Sequence, residues 1–312
     1  MNTTPKHPTI KKIIKTTIIA AIIIIATIGF LALLRHTFCS KPDIQWEEFI
    51  TARGILESYK DEYYYTHLSE SEQIVYEQIL HKFVDSQYFE DNFHLLSIIP
   101  NSTLIIHKDN NIQSPDDLFN VIYAVQCDLP ELIWNYDKGQ MVYTIGNYFL
   151  ITFKFNSHLD TKEEVYLAYE QIDQYMAENI EPLITTEKTP EEIEQDIYTV
   201  ITSTMIRDEE REGCAFQSVY GLVSDQRVVC TGTSKTLKYI DKKYNLGLEV
   251  VNAVGDLETS TGEKGAHMWS TVKLYNKIKI VDIVNYKNGI TNKNVLGLKY
   301  TYEGKIGTER QI

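Results

Sequence analysis

The chain has 312 residues, with 30 basic and 43 acidic side chains and a formal net charge of −13. A surface of that sign repels nucleic acid, and the length allows one large domain or two modest ones. It carries no internal repeat and no long Gly, Pro or Ser linker.

Residues 1–15 form a short basic tail, and Thr16 to Leu34 is an uninterrupted apolar stretch of 19 residues. That length spans a bilayer core of about 30 Å as a helix. Lys6, Lys11, Lys12 and Lys15 precede it, Arg35 follows it, and no acidic residue lies in 1–35. The positive-inside rule therefore places the amino end in the cytoplasm and residues 36–312 outside it. A cleaved signal peptide is the competing reading, but no small-x-small cleavage pattern follows the stretch. The rest of the chain holds 25 basic and 43 acidic residues, a net of −18, which suits an exported soluble domain.

Residues 36–185 alternate helical and strand patterns and read as an α+β region. Ser69-Glu70-Ser71-Glu72 is a capping box that opens an amphipathic helix through Phe83. Ser114-Pro115-Asp116-Asp117 opens a second, with proline at its first position. Tyr143-Thr144-Ile145 and Tyr148 to Phe155 flank Gly146-Asn147 and predict a hairpin, and a helix is expected over Lys162 to Asn179. Thr189-Pro190-Glu191-Glu192 caps a helix through about Met205, and a boundary falls near Ile184 to Thr189. Residues 189–312 then form the core domain.

Three residues in that core suit thiol acyl transfer. Cys230 stands in Arg227-Val228-Val229-Cys230-Thr231-Gly232, His267 in Gly265-Ala266-His267-Met268-Trp269, and Asp282 in Ile280-Val281-Asp282. His267 is the one histidine after Cys230. A helix is predicted over Thr231 to Asn245, stopping at Gly247, so the thiol sits at a helix N-terminus, where N–H groups favour a thiolate and can hold an oxyanion. Ala266 to Leu274 and Ile278 to Val284 read as a hairpin turning through Tyr275-Asn276-Lys277. Centring the turn on Tyr275 and Asn276 puts Asp282 opposite Trp269 and diagonal to His267, about 7 to 8 Å away, within reach of a carboxylate that orients an imidazole.

Val219-Tyr220-Gly221, Val229-Cys230-Thr231-Gly232, His267-Met268-Trp269 and Val281-Asp282, in this order and spacing, resemble the core of the bacterial transglutaminase-like superfamily. Tyr63-Tyr64-Tyr65 with Leu68-Ser69-Glu70, and Cys127 through Trp134, resemble the helical preamble of its surface members and carry no chemistry. The resemblance implies a papain-like α+β fold: a helix carrying the cysteine packs on an antiparallel sheet carrying the histidine and aspartate. It implies a thioester-forming enzyme acting on protein or peptide amides, with cell-wall or surface proteins as partners. This chain departs from the family pattern at Thr233, Ser234, Ser270 and Ile283, which touches the acyl-acceptor side rather than the triad.

In that frame Cys230 is the nucleophile, His267 the base and Asp282 its orienter, while Tyr220 and Trp269 are candidates for shaping the oxyanion or substrate site. Taken singly, each has a structural reading: a small buried thiol, a hydrogen-bonded histidine, a strand-end cap and packed aromatics. The rival function is an inactive copy of the fold serving as a surface binding or scaffold module. Cys127 reads as a core residue of its helix, and Cys39 and Cys214 have no partner that spacing predicts. No zinc or calcium spacing occurs, so the chemistry is expected to need no metal or organic cofactor.

Overall fold

The computed structural model describes residues 44–89, 102–109, 111–155, 158–208, 210, 213, 215–258, 264–286 and 299–302. The apolar stretch 16–34 and the cysteines at 39 and 214 lie outside these residues. Among the described residues no helix is long and apolar enough to cross a membrane.

The architecture is mixed α+β with antiparallel sheets. Helices α1 (Ile44–Ala52), α2 (Tyr63–His67) and α3 (Glu70–Val84) lead into strand β1 (Thr103–His107) and helix α4 (Pro115–Asp128). Strands β2 (Asn135–Ile145) and β3 (Tyr148–Phe155) form the expected hairpin, with Gly146 at φ 57° supplying its left-handed turn. The first strand is longer than the sequence pattern suggested, running back to Asn135 through an irregularity before Gln140. β3 is the centre of a three-stranded sheet of order β1-β3-β2, and Ile106, Phe149, Ile151 and Phe153 face the core from it.

Helices α5 (Lys162–Asn179) and α6 (Pro190–Thr204) follow, each opened by a capping box as in α3 and α4. In α6, Glu192 accepts from the Thr189 backbone N–H at 2.8 Å. This reciprocal bonding satisfies two of the otherwise unpaired donors at a helix start. A two-stranded parallel pair, β4 (Ile206–Arg207) and β5 (Arg227–Val228), brackets α7 (Val219–Ser224). Helix α8 (Cys230–Tyr244) starts one residue earlier than expected, on the cysteine itself. It ends in Asn245, whose left-handed conformation (φ 49°) stops it before Gly247.

The second sheet has the order β8-β7-β6-β9, all antiparallel: β6 (Val251–Glu258), β7 (Lys264–Leu274), β8 (Lys277–Val281) and β9 (Lys299–Tyr302). Tyr275 and Asn276 both have positive φ (48° and 62°), the primed turn that matches strand twist. β8 stops at Val281 rather than running to Val284, because the chain turns at Asp282 into a short helix, α9 (Ile283–Tyr286). One contiguous core of buried side chains extends from Trp46 to Ile283 and covers both halves of the chain. At its amino-terminal end Trp46 and Trp134 meet edge to face at 5.4 Å. Their indole N–H groups donate to Val84 O at 2.8 Å and Phe83 O at 3.0 Å, capping the last carbonyls of α3.

Charge also ties the halves together. Glu62 meets Lys238 at 2.7 Å and Lys242 at 2.6 Å, and Glu131 meets Lys242 at 2.9 Å. Asp128, fully buried, lies 3.6 Å from Lys238 and accepts from the backbone N–H groups of Tyr64 and Tyr65 at the start of α2. Burial pushes the Asp128 carboxyl up to about 6 despite Lys238. Glu62 is held below its ordinary value: burial raises it, and the two lysines outweigh burial.

Candidate active site

Two glycines let the cysteine helix begin where it does. A Cβ on Gly232 would stand 2.6 Å from Phe216 O, and one on Gly221 would stand 2.7 Å from Ala215 O. α7 and the first turn of α8 therefore both close on the 215–218 turn at distances a larger residue cannot reach. The Val229 N–H donates to Phe216 O at 3.1 Å, fixing the residue before the nucleophile candidate.

The start of α8 differs from those of the long helices around it. Its cap residue is Val229, which has no side chain able to cap, and its first turn holds no acidic residue. α3, α4, α5 and α6 each carry both a capping side chain and first-turn carboxylates. The positive end of α8 is thus left uncompensated by side chains, at the residue that bears the thiol.

His267 stands on β7 opposite Gly255, and its Nε2 lies 2.8 Å from Asp282 Oδ2. The side chains are 10% and 4% exposed, so the pair is shielded yet not sealed. Because Asp282 occupies Nε2, Nδ1 is the ring nitrogen left for Cys230. The ladder ends with Ser270 paired to Val281, so Asp282 is the first residue beyond it and reaches the imidazole from there. Trp269 is itself fully buried, and its ring stacks against the imidazole at 6.4 Å with an interplanar angle of 19°. Cys230, His267 and Asp282 are thereby brought together from α8, β7 and the residue just past β8.

The electrostatics follow from that geometry. Burial pushes the Cys230 thiol up, but the His267 hydrogen bond and charge, the Met268 backbone amide and the Thr231 hydroxyl bring it below its ordinary value. For His267 burial favours the neutral ring, and hydrogen bonds to Asp282 and Cys230 overcome this, raising it to about 10. Both shifts favour a thiolate beside an imidazolium at neutral pH. Cys127 shows the opposite environment: it is buried in the core, and desolvation lifts its thiol to about 12.

The Tyr220 hydroxyl donates to Gln171 Oε1 on α5 at 3.2 Å, which ties α7 to α5. Polar support that sequence reasoning did not identify lies behind the histidine strand. Ser270 donates to Asn252 Oδ1 at 2.9 Å, and Asn252 donates to Cys127 O at 3.4 Å. The backbone carbonyl of Asn252 accepts from Tyr64 Oη at 2.7 Å. Ser270 thus anchors β7 to β6, and Tyr64 of α2 reaches the same point. Among the described residues no group of three or more His, Cys, Asp or Glu side chains is placed to hold a metal ion.

No family model and no curated protein matches this chain. Among solved structures it is similar to a protein described as "Crystal structure of a TGase", with 14% identity, a TM-score of 0.32, and coverage of 65% of this chain and 54% of the other. The chain spans about half the length of that protein.

Proposed function

We propose that this chain is a membrane-anchored, extracytoplasmic cysteine acyl-transfer enzyme that attacks protein or peptide amides through a thioester. The observation that carries the reading is the convergence of Cys230, His267 and Asp282, with the thiol lowered and the imidazole raised. The motif resemblance and the uncapped start of α8 support it.

Cys230 Sγ, as thiolate, adds to the amide carbon, and the carbonyl electrons move to oxygen, where first-turn N–H groups of α8 can receive the charge. Protonated His267 gives its proton to the leaving nitrogen, the C–N bond breaks, and a thioester and a free amine or ammonia result. The neutral imidazole then takes a proton from water or an incoming amine as that nucleophile displaces the thiolate. Water gives hydrolysis or deamidation, and an amine gives cross-linking. Asp282 holds the imidazole and offsets its charge throughout.

The test is ammonia and new-amine release from a pool of glutamine-containing peptides, with and without methylamine as acceptor. Wild-type turnover that disappears in Cys230→Ala supports the reading. Equal turnover in both proteins sinks it, and a wild type with no turnover and an unreactive Cys230 favours the inactive scaffold. Protease added to intact cells should digest residues 36–312; full protection contradicts the extracytoplasmic placement.

A further inference from the structure

An antiparallel sheet that covers a core with one side ordinarily turns polar side chains outward on the other. The β1-β3-β2 sheet departs from this rule. Its inner side gives Ile106, Phe149 and Ile151 to the core, while Ile105, Met141, Tyr143, Ile145 and Tyr148 are each 40% to 59% exposed. The register sets these five on one side, in rows. Ile105, Leu150 and Tyr143 stand opposite one another across the three strands, and His107, Tyr148 and Ile145 form the next row towards the hairpin tip. In the row on the other side Met141 lies beside Thr152 and Thr103, whose hydroxyls bond to each other at 3.0 Å. A contiguous apolar patch of this kind marks a contact surface.

Three observations name what covers it. The first is charge: the chain beyond residue 35 carries a net −18, yet none of the outward side chains in these three rows is a carboxylate. An acidic surface is repelled by anionic headgroups and by a second copy of itself, so an acid-free patch is where this domain can approach lipid. The second is composition, since exposed tyrosines among aliphatic side chains match the membrane–water interface, where the ring is buried and the hydroxyl stays wet. The third is reach. Only residues 35–43 separate the apolar stretch ending at Leu34 from α1, a tether of at most about 35 Å. Trp46 of α1 packs on Trp134, and β2 begins at the next residue, Asn135. Tyr143 stands eight residues further along that strand, at most about 27 Å away, which is inside the length of the tether.

We infer that the outer side of the β1-β3-β2 sheet lies on the bilayer surface, with Tyr143, Ile145 and Tyr148 inserted at the headgroup boundary. The inference rests on the membrane-anchored reading, which brings lipid within reach; it needs neither the thiol nor its activity.

The test uses the full chain in phosphatidylcholine vesicles, made with and without dibrominated acyl chains that quench tryptophan on contact. The three native tryptophans are fully buried, so the wild type serves as the blank for a tryptophan added at an exposed site. Tyr143→Trp should emit at shorter wavelength and lose most of its added emission to the brominated lipid. Tyr275→Trp, exposed at the tip of the other hairpin, should keep its own. Adding Ile145→Asp and Tyr148→Asp to Tyr143→Trp should abolish the quenching with circular dichroism unchanged. Equal quenching at both sites, quenching that survives the two aspartates, or no quenching of Tyr143→Trp would overturn the docking. Short-wavelength emission without quenching would overturn it too, by showing that protein covers the patch. An alkaline carbonate wash of the same vesicles reads the anchor separately. A chain that resists the wash but is not quenched refutes the docked face alone, and one that is washed off yet was quenched refutes the anchor alone.

Discussion

His267 Nε2 lies 2.8 Å from Asp282 Oδ2, although Asp282 has already left the strand that pairs with the histidine's own. The carboxylate thus orients the ring from a turn, held by the register of β7 and β8 and by the start of α9. Under the proposed mechanism an orienter acts through another residue, whereas Cys230 and His267 act as one unit. Cys230→Ala and His267→Ala should each abolish turnover. Asp282→Ala should keep more, about 10³-fold below wild type, and Asp282→Asn should stay folded while disturbing the tautomer. The check is kcat for the set beside circular dichroism; an Asp282→Ala enzyme as dead as Cys230→Ala refutes the division of roles.

The ionisation of the pair predicts a pH profile. A lowered thiol keeps Cys230 as thiolate below the usual thiol range near 8.5, so alkylation by iodoacetamide should persist at mildly acidic pH. Removing His267 removes the chief stabiliser, and the alkylation curve of His267→Ala should move to higher pH. At the other limb, the imidazolium is lost as pH rises through about 10, so turnover should fall there as well as in acid. An alkylation curve that does not move in His267→Ala would show that the two side chains are not coupled.

Gly232→Ala tests the close approach at the start of α8. In an exposed helix interior this change gains about 1 kcal/mol. Here the new methyl would meet Phe216 O at 2.6 Å and backbone must shift, so we expect a net loss of about 1–3 kcal/mol in urea unfolding and slower turnover, because Cys230 is two residues away. A stabilised Gly232→Ala protein would show that the turn yields without cost.

The buried charges of α8 predict a dependence on the amino-terminal half. Lys238→Met leaves Asp128 without its cation in a fully buried place, and should cost about 3–5 kcal/mol. A fragment of residues 189–312 leaves Lys238 and Lys242 without Glu62, Asp128 and Glu131, and should melt at lower temperature or fail to fold. Thermal unfolding of the fragment beside the full chain decides this; equal melting temperatures would show that the tie contributes nothing.

Much of the local structure was legible because it rests on local signals. Cap motifs at Ser69, Ser114 and Thr189 marked the starts of α3, α4 and α6, and the Tyr275-Asn276 turn set the β7–β8 register that brings Asp282 toward His267. β8 ends before the apolar run does, because Ile283 and Val284 continue a pattern whose period does not separate strand from short helix. The ladder partner of β6 on its far side, the Tyr64 bond to Asn252, the Ser270–Asn252–Cys127 bonding and the lysines facing Glu62 and Asp128 join residues as much as 188 apart, and no pattern in a single sequence encodes which distant groups meet.

The two-residue turn at Tyr275 and Asn276 has a consequence for how this chain can vary. Side chains alternate sides at every step along β7 and β8, so one residue gained or lost between His267 and Leu274, or between Lys277 and Asp282, swings the carboxylate to the opposite side of the sheet from the imidazole. Extra residues inserted at the turn itself leave both strands in step. Length can therefore drift at the tip of this hairpin, while the eight residues from His267 to Leu274 and the six from Lys277 to Asp282 behave as a fixed ruler between base and orienter.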